Sequence, residues 1–558
     1  MSPPRSLTLS WPTVIRWGAI GCLILGIGLR VWAIDRTVFW HDEVLTTIIS
    51  AGHLLTDIQA QDFTGKLVSP ADLMVYLRPD GLPWNAVFSS VTGNPEHPPL
   101  YYFLTRVWMG LFGSSVTSMR SLATVFSLGL FPALYWFCWE LTRSPAVGWV
   151  AIALVSLSPF HVLYAREARE YSLWALLLVV SGACLLRALR LGDRAQTWGD
   201  RLRIWWPYSL SLVLGFYTSL LTIYAAIGHG LYAWLLDRGR LGWRVGSIVV
   251  AGLAAAIAFL PWAGVLISRW EQAMRLTAWT TTFHEPRQQV IQRFAIQILR
   301  GFTDFIPAGP TWILAIAFHG IILLAVALVI RRSPVRIWGF VLTLTVVGTS
   351  FLALPDLVDG ALRSVSTRYW TPTYLGLQIA LAIVIVQELA QSRPLRRGLA
   401  AIGATGLLAL GLTASIHLSQ ASSNWAKGVS ISLPAFADTI NQTAQPLTIV
   451  DGFGYRAGNA IALALRLQPT AALYLMSDFN RVSPTDFQAL QTAITNPDRP
   501  FSALYILNLT PPLRQAIEAQ GQWSIEPIGG DKMAWLDRLH PIKPIGNPAP
   551  AIPTKTGA

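Results

Sequence analysis

Two short stretches hold the residues best able to do chemistry. Phe39-Trp40-His41-Asp42-Glu43 follows one hydrophobic run, and Glu96-His97-Pro98-Pro99-Leu100-Tyr101-Tyr102 opens another. Ionisable groups at the edge of an apolar segment are costly and need partners, so each is a functional candidate by default. Asp42 and Glu43 also stand where a helix would begin near Val44, and an acidic residue there stabilises a helix N-terminus by a few tenths to about 1 kcal/mol. A cap accounts for one carboxylate. It does not account for a pair of them next to His41, Trp40 and Phe39. A carboxylate partly desolvated at such a place titrates high and can take a proton from a hydroxyl, which makes Asp42 and Glu43 the candidate catalytic residues. Proline suits the first helical turn, so Pro98-Pro99 opens a helix whose N-terminus attracts anions. His97, when protonated, adds positive charge there.

A third set is cationic. The segment Tyr164-Ala-Arg-Glu-Ala-Arg-Glu-Tyr171 brings Arg166, Arg169 and Tyr171 together, and Arg363 and Arg368 precede a later apolar run. One arginine at a membrane edge simply snorkels to the interface. Several, facing an acidic loop, suit a phosphate, which guanidinium binds with two parallel hydrogen bonds.

The elements that must position these residues are membrane spans. Of 558 residues, 53% are hydrophobic and only 13% charged, and the mean hydropathy is +0.46. Apolar runs of roughly 20 residues, enough to cross a hydrocarbon core, recur through the first three quarters. The formal charge of +13 does not point to nucleic acid, because the basic residues gather in short loops between spans. Cys22, Cys138 and Cys184 all fall inside apolar runs and imply no disulfide framework.

With short-loop Arg and Lys as the inside marker, Arg5 and Arg16 place the N-terminus inside and the first loop outside. About eleven crossings follow, which puts the C-terminal part outside. Leu100 to Phe112 is too short to span and reads as an interfacial helix. The segments 164–171 and 265–310 fall outside, as does the loop reaching Arg368. From about Ser419 the pattern changes to alternating short strands and helices: Pro446 to Val450, Ala457 to Leu467, Ala472 to Met476, Pro484 to Ile494, Ala503 to Leu507 and Pro512 to Gln520, with further strands between Trp523 and Leu536. The fold class is thus mainly α and polytopic with a small C-terminal α/β domain. The expected division is 1–418 for the membrane domain, with a catalytic loop at about 35–99, then 419–540 for the α/β domain and a Pro-rich, disordered tail over 541–558. Asp451-Gly-Phe-Gly454 is an ordinary strand-to-helix turn, since it lacks a full phosphate-binding glycine pattern.

The ordered set Asp-Glu after the first span, His-Pro-Pro-Leu-Tyr-Tyr, Arg-Glu-Ala-Arg-Glu-Tyr, then Arg-Tyr before a late span resembles the family 39 glycosyltransferases of the GT-C superfold. These include the protein O-mannosyltransferases, and the aminoarabinose transferase of lipid A is a relative. The resemblance covers roughly Val14 to Leu389. It implies a donor sugar linked through phosphate to a polyprenyl lipid, with transfer on the non-cytoplasmic face. It sets Asp42 on the catalytic acidic position and Glu96 on the acidic position preceding a Lys/His-Pro-Pro motif, with His97 in place of lysine. It also implies a divalent metal, with Glu96 and His284 as its ligands here. Tyr102, His97, Arg166, Arg169, Tyr171, Arg363 and Arg368 become the substrate and phosphate set.

The expected function is a membrane glycosyltransferase of the plasma (inner) membrane. It would move a sugar from a polyprenyl-phosphate donor to a hydroxyl of a lipid, glycan or protein acceptor, with inversion and with no nucleotide or nucleic acid involved. The alternative is a lipid or polysaccharide transporter or flippase. A transporter would place charges in mid-span or break helices in related halves, whereas here the charges gather at one face.

Overall fold

The computed structural model describes residues 11–305, 309–495 and 500–542. Arg5 and residues 543–558 of the Pro-rich tail lie outside the described residues. The chain forms two compact units. The first comprises Met1–Thr37, Ile49–Gly52 and Gly81–Ala421; the second comprises Val38–Ile48, His53–Asp80 and Ser422–Ala558.

The first unit is helical. Helices stand at each expected crossing: Trp11–Val31, Val116–Thr142, the pair Pro145–Ser156 and Pro159–Ala165, Tyr171–Gly192, Trp198–Thr218, Thr222–Leu236, Trp243–Ser268, Trp312–Arg332, Val335–Asp359, Thr371–Leu389 and Pro394–Gln420. Among the described residues, eight helices are long and apolar enough to cross a membrane, nine if the bent pair counts as one span. The two others are Thr222–Leu236, only 15 residues long, and Trp198–Thr218, whose first turns carry Asp200, Arg201 and Arg203. Proline opens several helices, at Pro145, Pro159, Pro372 and Pro394, where its missing N–H costs nothing. Gly360, with φ +79, ends Val335–Asp359 in the left-handed conformation glycine adopts without strain.

The bent pair turns by 66°. Such a break orphans the last carbonyls of the preceding helix, and a membrane offers no water to satisfy them. Arg30 does so: fully buried, it donates to the carbonyls of Val155 (3.2 Å), Ser156 (2.7 Å) and Gly26 (2.8 Å) and to Ser127 Oγ (2.9 Å). Gly26 permits this approach, since a Cβ there would lie 2.5 Å from the Ser156 oxygen. Leu100–Phe112 is a helix of 13 residues that buries Tyr101, Tyr102, Thr105 and Met109 along one side, as an interfacial helix should.

The second unit is built on a six-stranded sheet. Its strands are β1 (Lys66–Val68), β2 (Pro446–Asp451), β3 (Ala472–Met476), β4 (Ala503–Leu507), β5 (Trp523–Gly530) and β6 (Trp535–Pro541), in the order β1-β3-β2-β4-β6-β5. β2, β3 and β4 are parallel and wholly buried, and their mostly apolar sequences suit a sheet covered on both faces. Helices Arg456–Ala464 and Pro484–Ile494 make the crossovers. Leu447, Ile449, Tyr474, Leu504, Ile506 and Phe487 share one core.

β1 comes from the first loop and pairs antiparallel with β3, Leu67 opposite Tyr474. Residues 38–48 and 53–80, placed by sequence in the membrane domain, therefore belong to the same compact unit as residues 422–542. A strand of three residues has no periodicity to reveal it.

Candidate active site

The first unit gathers residues from three distant segments into one cluster. A turn ahead of the Pro98-Pro99 corner presents Glu96 and His97; the His97 backbone N–H donates to Asn94 O at 3.0 Å. His97 Nε2 lies 3.8 Å from Glu96 Oε1, and its Nδ1 lies 4.0 Å from Glu170 Oε1. Its ring is 6.3 Å from that of Tyr102, which is fixed against Ile49, Val87, Val91 and Trp262. The segment after the bent pair supplies Arg169, Glu170 and Tyr171, all buried. Glu170 holds the Arg169 guanidinium through Nε at 3.2 Å and Nη2 at 3.3 Å. Arg169 Nη2 also reaches the Tyr171 hydroxyl at 3.4 Å. From the third segment, the Arg368 guanidinium lies over the Tyr171 ring, 5.3 Å from its centroid. Two guanidinium groups, an imidazole and a phenol thus converge. Glu96 contributes a buried Oε2 with no hydrogen-bond partner among the described residues.

Two of the expected cations are placed elsewhere. Arg166 donates to the carbonyls of Ala33 at 2.5 Å and Ser419 at 3.5 Å. Burial, with Arg120 beside it, lowers its pKa to about 10, while Asp35 acts the other way. Arg363 is neutralised by Asp356 at 3.1 Å and Asp359 at 2.7 Å. Asp356 also accepts from the Ser364 N–H at 2.8 Å, so this network shapes the segment leading to Arg368.

The expected metal pair is also divided. His284 is exposed and within electrostatic reach of Asp359, whereas Glu96 belongs to the cluster around His97 and Glu170. Among the described residues no three of His, Cys, Asp and Glu are arranged to hold a metal ion. The residues present do not fit the implied ion.

The second unit holds the other acidic pair. The helix His41–Ala51 carries Asp42 and Glu43 in its first turn. Glu43 is fully buried. Its Oε2 accepts from the Trp40 N–H at 3.4 Å, half of a capping box, and from Lys427 Nζ at 3.4 Å. Lys427 is itself buried and lies over the Trp40 ring, 5.5 Å from its centroid. The His41 N–H donates to Ser430 Oγ at 3.1 Å. Glu43 is therefore a structural anchor, and Asp42, half-buried beside it, is the carboxylate with access to solvent. Lys427 lies 384 residues away from Glu43, and no local pattern marks it. Glu170 lay inside a segment already conspicuous for its charges.

Together these features define a multi-pass, mainly helical membrane protein with a small α/β unit. No known family profile and no curated protein matches the chain. Among solved structures it is similar to ArnT from Cupriavidus metallidurans bound to undecaprenyl phosphate, at 13% identity over 95% of this chain and 98% of that one, with a TM-score of 0.48. It is also similar to the oligosaccharyltransferase AglB from Archaeoglobus fulgidus in complex with an inhibitory peptide and a dolichol-phosphate, at 11% identity over 89% and 70% of the two chains, with a TM-score of 0.47. The Archaeoglobus enzyme complexed with Zn and sulfate has 10% identity over 88% and 67%, with a TM-score of 0.44.

Proposed function

We propose that the protein is a GT-C-type glycosyltransferase that moves a sugar from a polyprenyl-phosphate carrier to an acceptor hydroxyl on the extracytoplasmic face. The observation that carries this reading is the convergence of His97, Arg169, Tyr171 and Arg368 from three segments onto one cluster. A phosphate leaving group needs its developing charge neutralised and needs no strong acid. Arg169 and Arg368 meet that need, Glu170 aiming the first and the Tyr171 ring backing the second.

Asp42 is the proposed base. The acceptor oxygen attacks the anomeric carbon as its proton passes to the Asp42 carboxylate. The bond from that carbon to the phosphate oxygen breaks, and its electron pair leaves on the lipid phosphate. A single displacement inverts the anomer.

Purified protein in nanodiscs, incubated with a panel of polyprenyl-phosphate sugars and hydroxyl acceptors, tests this reading. Release of lipid phosphate with sugar on the acceptor is the expected result. An Asp42→Asn protein that transfers at the normal rate would remove Asp42 from the mechanism, and no transfer across the panel would overturn the proposal.

A further inference from the structure

The chain that follows the span Trp243–Ser268 forms a strap with three distinct faces. Only Arg269 separates the span from the helix Trp270–Thr277, which Trp279–Thr282 continues. Residues about 100° apart around a helix put positions i and i+4 on one side. Ala273 is buried, and Gln272 Nε2 donates to Gly93 O at 2.7 Å, so this side faces the protein. Glu271 and Arg275, an exposed i,i+4 pair at 3.9 Å, form a charged stripe. Trp270 and Met274 form a third, apolar stripe that is 57% and 52% exposed, and beyond it Trp279, with Phe283 just past the helix end, is also exposed, at 42% and 65%.

An apolar stripe beside a charged one, on a helix that starts where a span ends, is the geometry of a helix lying in a bilayer interface, where tryptophan is favoured. Between residues 269 and 300 there are five arginines and two glutamates, a balance suited to lipid phosphates. We propose that Trp270, Met274, Trp279 and Phe283 seat this strap in the head-group region of the bilayer, with phospholipid as the occupant of the apolar face. The seat is tied to the cluster at both ends. Gln272 holds Gly93, just ahead of Glu96 and His97. The Leu362 N–H donates to Thr280 O, and the Glu285 N–H to Gly360 O, both at 2.8 Å, ahead of Arg368.

Single cysteines at Met274 and Phe283, with Glu271→Cys as the control, test it in full-length protein whose Cys22, Cys138 and Cys184 are replaced. Each carries an environment-sensitive fluorophore, in nanodiscs containing nitroxide lipids labelled either near the head group or at mid-bilayer. Met274→Cys and Phe283→Cys are expected to be quenched several-fold more by the shallow nitroxide than by aqueous iodide, and Glu271→Cys the reverse. Equal iodide quenching at all three sites overturns the proposal. So does preferential quenching by the deep nitroxide, and so does protection from every quencher, which would mean a protein partner covers the face. If the cysteine variants do not fold, the unaltered protein is photolabelled with a diazirine carried at the lipid head group: adducts within 270–283 support the seat, and their absence there overturns it.

Discussion

Asp42 and Glu43 are adjacent in the chain, yet Glu43 is sealed from solvent and paired with a buried lysine, while Asp42 is half-buried. Removing one partner of a buried ion pair strands the other's charge, at a cost of about 3–5 kcal/mol. Lys427→Met should therefore lower the unfolding midpoint strongly. Adding Glu43→Gln, which keeps an acceptor for the Trp40 N–H, should recover most of the loss. An unchanged midpoint in the single variant would show that the pair is no anchor. Asp42→Asn should leave unfolding within about 1 kcal/mol of the parent while abolishing transfer. Arg368→Lys keeps the charge but loses the planar group that stacks on Tyr171. Its turnover should fall by about 10²–10³, the scale of losing one positioned charge-stabilising group, and near-normal turnover would place the phosphate elsewhere.

Among the elements, the bent pair Pro145–Ser156 and Pro159–Ala165 matters most, because Arg166 to Tyr171 follow directly from it. Pro159 marks the break in the sequence. The arginine that stabilises the break belongs to another helix, Trp11–Val31, and in the sequence Arg30 is simply a cation near a span's end. Arg30→Met should leave the Ser156 carbonyl without its guanidinium donor and Val155 with backbone donors alone, at about 1–3 kcal/mol for an unsatisfied group. The expected outcome is faster amide hydrogen exchange across 154–165 and a lower unfolding temperature; unchanged exchange would show that the break holds without the guanidinium. The helix Leu100–Phe112, by contrast, was legible from length alone, since 13 residues rise about 20 Å, short of the roughly 30 Å hydrocarbon core.

At the scale of the whole molecule, the α/β unit carries its own pH dependence. Asp451 ends β2 with its side chain buried; its Oδ2 accepts from Arg456 Nη1 at 2.7 Å and from the Phe479 N–H at 3.2 Å. Burial raises its carboxyl to about 6, although Arg456 and the Phe479 hydrogen bond oppose the shift. Because the folded state binds this proton more tightly than the unfolded chain, the contribution is most favourable below pH 4. It is lost as pH rises from about 4 to 6, by roughly 2–3 kcal/mol. Protection factors of amides in β2 and β3, corrected for intrinsic exchange, should rise correspondingly on acidification, and Asp451→Asn should flatten that trend; a parent protein whose protection ignores pH over this window would contradict it.

What the sequence determined by itself is local: where apolar runs are long enough to span, where proline and glycine start and stop helices, and where β2, β3 and β4 alternate with helices. Such features depend on neighbours within a few turns of chain, so composition and period suffice to read them. Only the tertiary structure decided which charges meet. His97 with Glu170, Arg368 with Tyr171, Lys427 with Glu43 and β1 with β3 are joined across tens to hundreds of residues. A buried charge takes whichever partner the packing delivers, and sequence spacing contains no record of that delivery.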